Sequence, residues 1–361
     1  MMELPVEVEE VILKMLDLGR GERGGYSFPP QRIDVLRKEI VTLTQGFRAN
    51  EHLEDKFPDA YLAFNFPTNV LKVQSILEKL KTIYCRELKF LNANVLDVGC
   101  GDGAGTVGFF LGFKELKDIS FLGVDVSFVI LERFKRLADL LGIKVRAIKA
   151  KVDKNFFKKE KGKFNFIIFS NSLGEIEGDK LGIIKSAALS LSEPGFIIII
   201  EPALKSNSRF LMELKSILKG YNFLLPCMHN QPCPLLRLKN EWCYHSIPWI
   251  VPEYLEIINR KLFRDLRYLK FSYLVMGRGV QLKDGAFLVI SPVWKEKGRK
   301  RFFICRDGKR IECFRPDKEK SANNQILDKI IKGNYIELKN VFCKSENIYV
   351  IKKETIVERI T

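Results

Sequence analysis

Between Val95 and Thr106 the chain reads VLDVGCGDGAGT, with glycine at every second position from Gly99 to Gly105. Glycines so spaced let a backbone turn sharply and approach a bound group closely. They follow an apolar run that reads as a strand and precede a run that reads as a helix. That context puts the loop at the carboxyl edge of an α/β sheet, where open sheets bind cofactors. Acids set the charge of what can bind. Asp97 lies inside the strand and Asp102 within the loop, and both would repel a pyrophosphate at the helix N-terminus but not an amino group or a sulfonium. Asp125 closes the next apolar run, where a carboxylate can hold both ribose hydroxyls. The pattern points to an S-adenosylmethionine site built from Asp97, Gly99, Gly101, Gly103, Asp125 and Ser170, and away from a nicotinamide dinucleotide. Asn171, Ser172 and Glu175, past the fourth expected strand, stand where groups face a transferred methyl and are the catalytic candidates. The alternative for them is a polar loop that closes the pocket. Cys100 reads as a small packing residue.

A second set of reactive side chains lies further on. Cys227, Cys233 and Cys243, interleaved with His229 and His245, fall within nineteen residues, although the whole chain has only eight cysteines and three histidines. A chain this long needs no disulfide staples, and such a cluster points to a metal or an iron–sulfur group. Structural zinc on the three cysteines and one of the two histidines is the plain alternative. Pro226-Cys227 is not expected to be a methyltransferase nucleophile, because it follows the fifth strand and a helix rather than the fourth strand. Cys85 and Cys343 have no partner pattern and are expected to be buried thiols.

The elements that would position these groups can be read from periodicity. Val8, Ile12, Met15 and Leu16 share one helical face, a second helix is expected over 31–47 beyond the loop GRGERGGYSFPP, and Phe66-Pro67 opens a third with Val70, Val73, Leu77, Leu80 and Tyr84 aligned. This N-terminal part reads as a helical cap. From Asn94 the texture changes to short apolar runs, VLDVG, FLGVD, KVRAIKA, FNFIIFS and FIIIIEP, most of them separated by helical stretches. That alternation predicts a parallel sheet covered on both faces. Residues 270–276 and 286–291 supply two more strands, and Asp307-Gly308 reads as a hairpin turn.

Composition adds a partner class. The net charge is +16 and 29% of residues are charged, an excess that fits a polyanion such as nucleic acid or a plainly basic surface. Residues 295–320 hold eleven Lys/Arg against five acids, and residues 144–163 hold nine against two. Phe302, Phe303 and Phe314 interleave with the first stretch, as in RNA-binding surfaces that mix stacking with phosphate contacts. The acidic start MMELPVEVEE is neither a secretory signal nor a transit peptide, and apolar runs such as Phe196–Ile200 are too short for a bilayer span. A cytoplasmic, membrane-free monomer is expected.

Several stretches together carry a family resemblance: AYLAFNFPTNVLKVQSIL, VLDVGCGDGAGT, FNFIIFSNSLGEI, IIEPA, LPCMHNQPCPL, EWCYH and KFSYLV, spanning residues 58–310. In these the chain resembles the methyltransferase-like proteins of the small ribosomal subunit, the Rsm twenty-two type, whose mitochondrial member is methyltransferase-like protein seventeen. The resemblance implies a Rossmann-like class I S-adenosylmethionine-dependent methyltransferase fold over 91–294. It adds an N-terminal helical region (1–90), a Cys-rich insertion (222–250) and a basic β-containing extension (295–361). It implies a four-iron, four-sulfur cluster on Cys227, Cys233, Cys243 and, in FFICRDGKR, Cys305. Cys313, across the expected hairpin, is the other possible fourth ligand. The implied partners are small-subunit rRNA and the assembling small subunit. The implied role is either rRNA methyltransferase or non-catalytic assembly factor; the intact glycine loop and Asp125 favour retained cofactor binding, and the lack of a recognisable acceptor-base motif favours the second.

Overall fold

In the computed structural model the described residues are 1–20, 26–49, 53–88, 92–116, 118–159, 163–262 and 266–361. The expected loop after Leu18 and the boundary near residue 90 fall partly outside them. The chain forms two compact units. One comprises Met1–Glu78, Phe90–Ser192 and Ile247–Leu269; the other comprises Lys79–Lys89, Glu193–Ser246 and Lys270–Thr361. These units cut across the division expected at 1–90, 91–294 and 295–361, because each core is assembled from segments far apart in sequence.

The first unit begins with helices α1 (Val6–Met15), α2 (Pro30–Ala49) and α3 (Phe66–Ile83). The apolar faces read from the sequence are the buried ones: Val8, Ile12, Met15 and Leu16 in and after α1, and Val70, Val73 and Leu77 in α3. Four parallel strands follow, β1 (Asn92–Val98), β2 (Asp118–Asp125), β3 (Val145–Lys149) and β4 (Phe164–Ser170). Helix α4 (Ala104–Gly112) leaves β1, and α5 (Phe128–Leu140) leaves β2. β1 pairs with β2 on one side and with β4 on the other, and β3 pairs with β2. The order β3-β2-β1-β4 reverses direction at β1, which makes the carboxyl end of β1 a topological switch point and a natural cofactor crevice. This is the Rossmann-like α/β arrangement. Helix α4 lies close to α3 because it carries glycine where they touch: a Cβ on Gly108 would come 2.7 Å from the Val70 carbonyl, and one on Gly112 would come 2.9 Å from Leu77.

In the second unit α6 (Lys205–Ile217), most of β5 (Leu191–Pro202), β6 (Asn222–Leu225), the first two residues of β7 (His245–Ile250) and most of β8 (Tyr268–Arg278) frame the Cys-rich segment. β8 runs antiparallel to β5 from Phe271 opposite Pro202 to Arg278 opposite Gly195, and also pairs with β6. The C-terminal part is a larger β structure than its sequence announced. Eight strands between Phe287 and Arg359 form one sheet. It packs over a core of Phe302, Ile304, Ile311, Cys313 and Ile336. Its central pair is β9 (Arg299–Arg306) and β10 (Lys309–Pro316), joined at Asp307-Gly308. Both turn residues have positive φ, 49° and 74°, as a two-residue type I′ hairpin requires.

That sheet corrects the expectation of an open basic, aromatic surface. Phe302 is fully buried in the core, and Phe303 is covered by the guanidinium groups of Arg301 and Arg310. No helix among the described residues is long and apolar enough to cross a membrane.

Phe166 anchors the first unit's core. It packs edge-on to Phe109 at 4.7 Å between ring centroids and tilted to Phe113 at 5.6 Å, with no solvent exposure. Phe166→Ala should cost about 3–5 kcal/mol and lower the urea midpoint of the first unit, with Phe166→Leu costing clearly less. Equal midpoints for the two variants would mean the site collapses around the missing ring.

Candidate functional site

The loop at the switch point is built by contacts that only glycine permits. Gly99, Gly101 and Gly103 have φ of 61°, 53° and 86°, the left-handed region that side chains rarely adopt. A Cβ would lie 2.4 Å from Ser172 Cβ at Gly99, 2.8 Å from the Tyr61 hydroxyl at Gly101, and 2.1 Å from the Phe134 ring at Gly103. The Gly99 and Cys100 N–H groups both donate to the Val124 carbonyl, which ties the loop to β2. Asp125 then takes two more donors, Gly101 N–H at 3.0 Å and Ser127 N–H at 2.9 Å.

These residues line a cleft of about 380 Å³, a size that suits a small ligand. Of the residues expected to bind cofactor, Gly99, Gly101, Asp125 and Ser170 line it. Asp97 and Gly103 do not. Asp97 is 1% exposed and accepts the Thr106 N–H at 2.8 Å and the Thr106 hydroxyl at 2.9 Å, so it holds the start of α4 from beneath. Burial pushes its pKa up to about 7, with Thr106 opposing the shift. Asp102 is also turned inward. It is 1% exposed and answers Arg133 at 3.4 Å, and burial pushes it up to about 7 against that arginine. Arg133 reaches on to Asp59 at 2.8 Å, and Asp59 also binds Arg32.

Asn171, Ser172 and Glu175 all border the cleft, yet they differ in what they can do. The Ser172 hydroxyl donates to the Val98 carbonyl at 2.5 Å, so it positions the strand end against Gly99. Asn171 takes the left-handed conformation at φ 58°, and its Oδ1, like Ser170 Oγ, is buried without a hydrogen-bond partner. Sequence reasoning missed Phe47, Glu54, Asp55 and Tyr61, which the N-terminal helical region contributes to the same cleft. Burial raises the Tyr61 pKa well above its ordinary value, and nearby Glu175 adds to the rise. The AYLAFNFP stretch was a signal for Tyr61 alone, and Phe47, Glu54 and Asp55 carried none.

The second site lies in the second unit. Cys227, Cys233 and Cys243 line one small cavity of about 20 Å³ with Lys215, His245 and Tyr273. Cys305, from β9, joins their neighbourhood: burial pushes its thiol far up, and Cys227, Cys233 and Cys243 push it further. Cys313 does not join. Cys305 stands opposite Arg310 in the hairpin and Cys313 opposite Phe302, so alternation sends them to opposite faces. Cys313 is buried in the sheet's core. The two histidines also separate. His229 Nε2 accepts the Gly308 N–H and its Nδ1 faces Lys215, both at 3.3 Å, while His245 lines the cavity with both ring nitrogens unpartnered. The Tyr335 hydroxyl donates to the Pro226 carbonyl at 2.7 Å and holds the Cys227 loop to the sheet. Among the described residues no three Cys, His, Asp or Glu side chains already stand in metal-holding geometry.

Cys85 and Cys343 are exposed, not buried as expected. Both sit where the chain turns outward, Cys85 just past α3 and Cys343 on a strand whose four residues all face solvent. An aromatic disulfide reagent should therefore label these two in its fastest phase, and Cys313 only after unfolding. A fast phase that survives Cys85→Ser with Cys343→Ser would contradict the assignment.

No curated protein matches the chain. Solved structures similar to it include an S-adenosylmethionine-dependent methyltransferase from Aquifex aeolicus, at 16% identity over 42% of this chain and 89% of that one, TM-score 0.31. Another is precorrin-6y C5,15-methyltransferase from Geobacter metallireducens, at 10% identity over 58% and 89%, TM-score 0.37. Likenesses this distant carry no functional argument, and the fold rests on the strand order and the loop. The family described as mitochondrial small ribosomal subunit Rsm22 matches residues 57–320. With well over half of its length matched, the chain belongs to the Rsm22 family.

Proposed function

We propose that the chain binds S-adenosylmethionine in the cleft beside Asp125 and acts on the rRNA of the assembling small ribosomal subunit. The observation that carries this reading is the cleft itself: in a small-subunit family member it opens at the switch point and is bordered by two buried, partnerless atoms, Ser170 Oγ and Asn171 Oδ1. Buried polar atoms without partners are costly unless a ligand satisfies them. The glycine loop brings Gly99 and Gly101 to the cleft wall beside Asp125, whose carboxylate is the group for the ribose hydroxyls. When bound, the cofactor supplies an electrophilic methyl carbon. Tyr61 closes over Gly101, and Asn171 and Glu175 border the cleft, where they can orient an acceptor. A second reading, a non-catalytic assembly factor, is favoured by the Ser172 hydroxyl being committed to the Val98 carbonyl.

Asp125→Ala should lose about 1.5–3 kcal/mol of cofactor binding, about tenfold or more in Kd by calorimetry. Unchanged affinity would remove the cleft as the cofactor site. Mapping rRNA methylation in a deletion strain carrying wild type or Asp125→Ala separates the two roles. A missing methyl group in the variant supports the enzyme; intact methylation with defective subunits supports the assembly factor.

The same reading gives the second unit an iron–sulfur cluster on Cys227, Cys233, Cys243 and Cys305. What supports it is that Cys227, Cys233 and Cys243 line one cavity with Lys215, which is 4% exposed and has no carboxylate partner among the described residues, and that the Cys305 thiol feels all three. The Lys215 charge would offset that of a metal–thiolate group. Protein purified without oxygen should contain iron and sulfide. Cys305→Ser should bleach it, and His245→Ala should leave it coloured. Zinc alone, lost on His245→Ala and kept in Cys305→Ser, would replace the cluster with the zinc alternative.

A further inference from the structure

The +16 charge is unevenly available. In the C-terminal sheet the cations are mostly spent on internal partners. Arg299 binds Glu296, Lys300 binds Asp328, Arg301 binds Glu312 and Arg310 binds Glu241. Arg315 is buried against Asn324 and Asp328. The first unit is different. Lys144, Arg146, Lys149, Lys151, Lys154 and Lys158 are all exposed along and just past β3. Among the described residues Lys151 pairs with Glu177 and Lys158 lies near Asp153, while Lys144, Arg146, Lys149 and Lys154 have no acidic partner. Asp153, the single acid in that stretch, is occupied by the Asn155 and Phe156 N–H groups.

The position of this row gives it a direction. Among the described residues β3 is the last strand of its sheet and pairs only with β2, so its outer backbone edge carries no strand among them. At one end Lys144 and Arg146 border an open groove of about 1010 Å³ that also contains Ser120 and Phe121. At the other end Ala150, Lys151 and Val152 line the cofactor cleft. Lys144 to Lys149 covers about 16 Å of extended chain. We propose that single-stranded RNA lies along this edge, its phosphates on the unpaired cations, so that the strand passes the mouth of the cofactor cleft. An unpaired base can address the free N–H and C=O groups of the edge and can leave its stack for a small cleft, which a base in a duplex cannot do without unpairing. This inference rests on the rRNA reading above and moves the contact from the C-terminal sheet to the methyltransferase unit. Lysines on an edge strand can also serve only to block edge-to-edge pairing, and the experiment separates the two roles.

The full chain and its K144Q/R146Q/K149Q/K154Q variant would be titrated by anisotropy with labelled poly-uridine and with an RNA duplex of equal length, across a salt series. The expected result is tighter wild-type binding to the single strand and about tenfold weaker binding by the variant. The variant's log-log salt slope should be shallower by about 0.7 for each phosphate that it no longer neutralises, with cofactor Kd unchanged. Single-strand affinity within about twofold of wild type would overturn the inference. If Lys295→Gln with Lys297→Gln weakened binding instead, the rRNA reading would stand with its contact elsewhere. Equal binding and equal weakening for the duplex would overturn the single-strand assignment, as would tighter binding of poly-glutamate than of RNA. A wild type that binds neither RNA would bring down the rRNA reading as well.

Discussion

Asp97 has almost no access to water, and its carboxylate accepts both the backbone N–H and the hydroxyl of Thr106. It thereby fastens the end of β1 to the first turn of α4, a helix whose N-cap, Gly103, has no side chain to do so. The positive end of the helix favours a carboxylate there, which helps explain why an acid is tolerated at such depth. Gly105 must be glycine because a Cβ would fall 2.5 Å from the Asp97 oxygen. With both ends fixed, the five residues Gly99–Gly103 have one route, hydrogen-bonded to Val124 on the way and presenting the Gly101 N–H to Asp125. The shape of the cleft thus depends on a carboxylate that never lines it.

The N-terminal region extends this network. Asp59 binds Arg32 and Arg133, and Arg133 meets Asp102 in the glycine loop. Asp55 accepts from the Ser127 hydroxyl, which in turn caps α5 by accepting the Ile130 N–H. Asp102 is withdrawn from solvent and Arg133 largely so, and leaving either unpaired would cost more than breaking a surface ion pair. The helical region is therefore part of the wall of the site. Tyr61 shows the result most directly, since its hydroxyl fills the space above Gly101.

In the second unit the governing constraint is strand alternation. β9 and β10 each place one row of side chains in the sheet's core and the other on its opposite face, and this sends Cys313 and Cys305 to different surroundings. It also explains the charge pattern. Asp328 gathers Lys300, Arg315 and Lys320, and those cations hold its carboxyl well below the usual range despite burial. A stretch that is basic by count becomes a charge-compensated sheet. Along β3, by contrast, Lys144, Arg146 and Lys149 stand exposed.

The parallel strands, the glycine loop, Asp125 and the buried helix faces were legible in the sequence because each rests on local periodicity or on a conformation that only glycine takes. The Asp307-Gly308 turn was legible for the same reason. The short C-terminal strands were not, since three to five residues carry too little pattern to separate from loop. Asp97 and Asp102 illustrate the boundary: composition showed two acids at the loop, but only packing decided that both point inward, one to a helix start and one to an arginine. Whether a lysine is free or neutralised was equally hidden, because its partner stands tens of residues away, as Glu241 does from Arg310. Sequence determined which groups could do chemistry. Tertiary structure decided which of them face a cleft, because pairing and burial are settled by neighbours that the chain order does not place side by side.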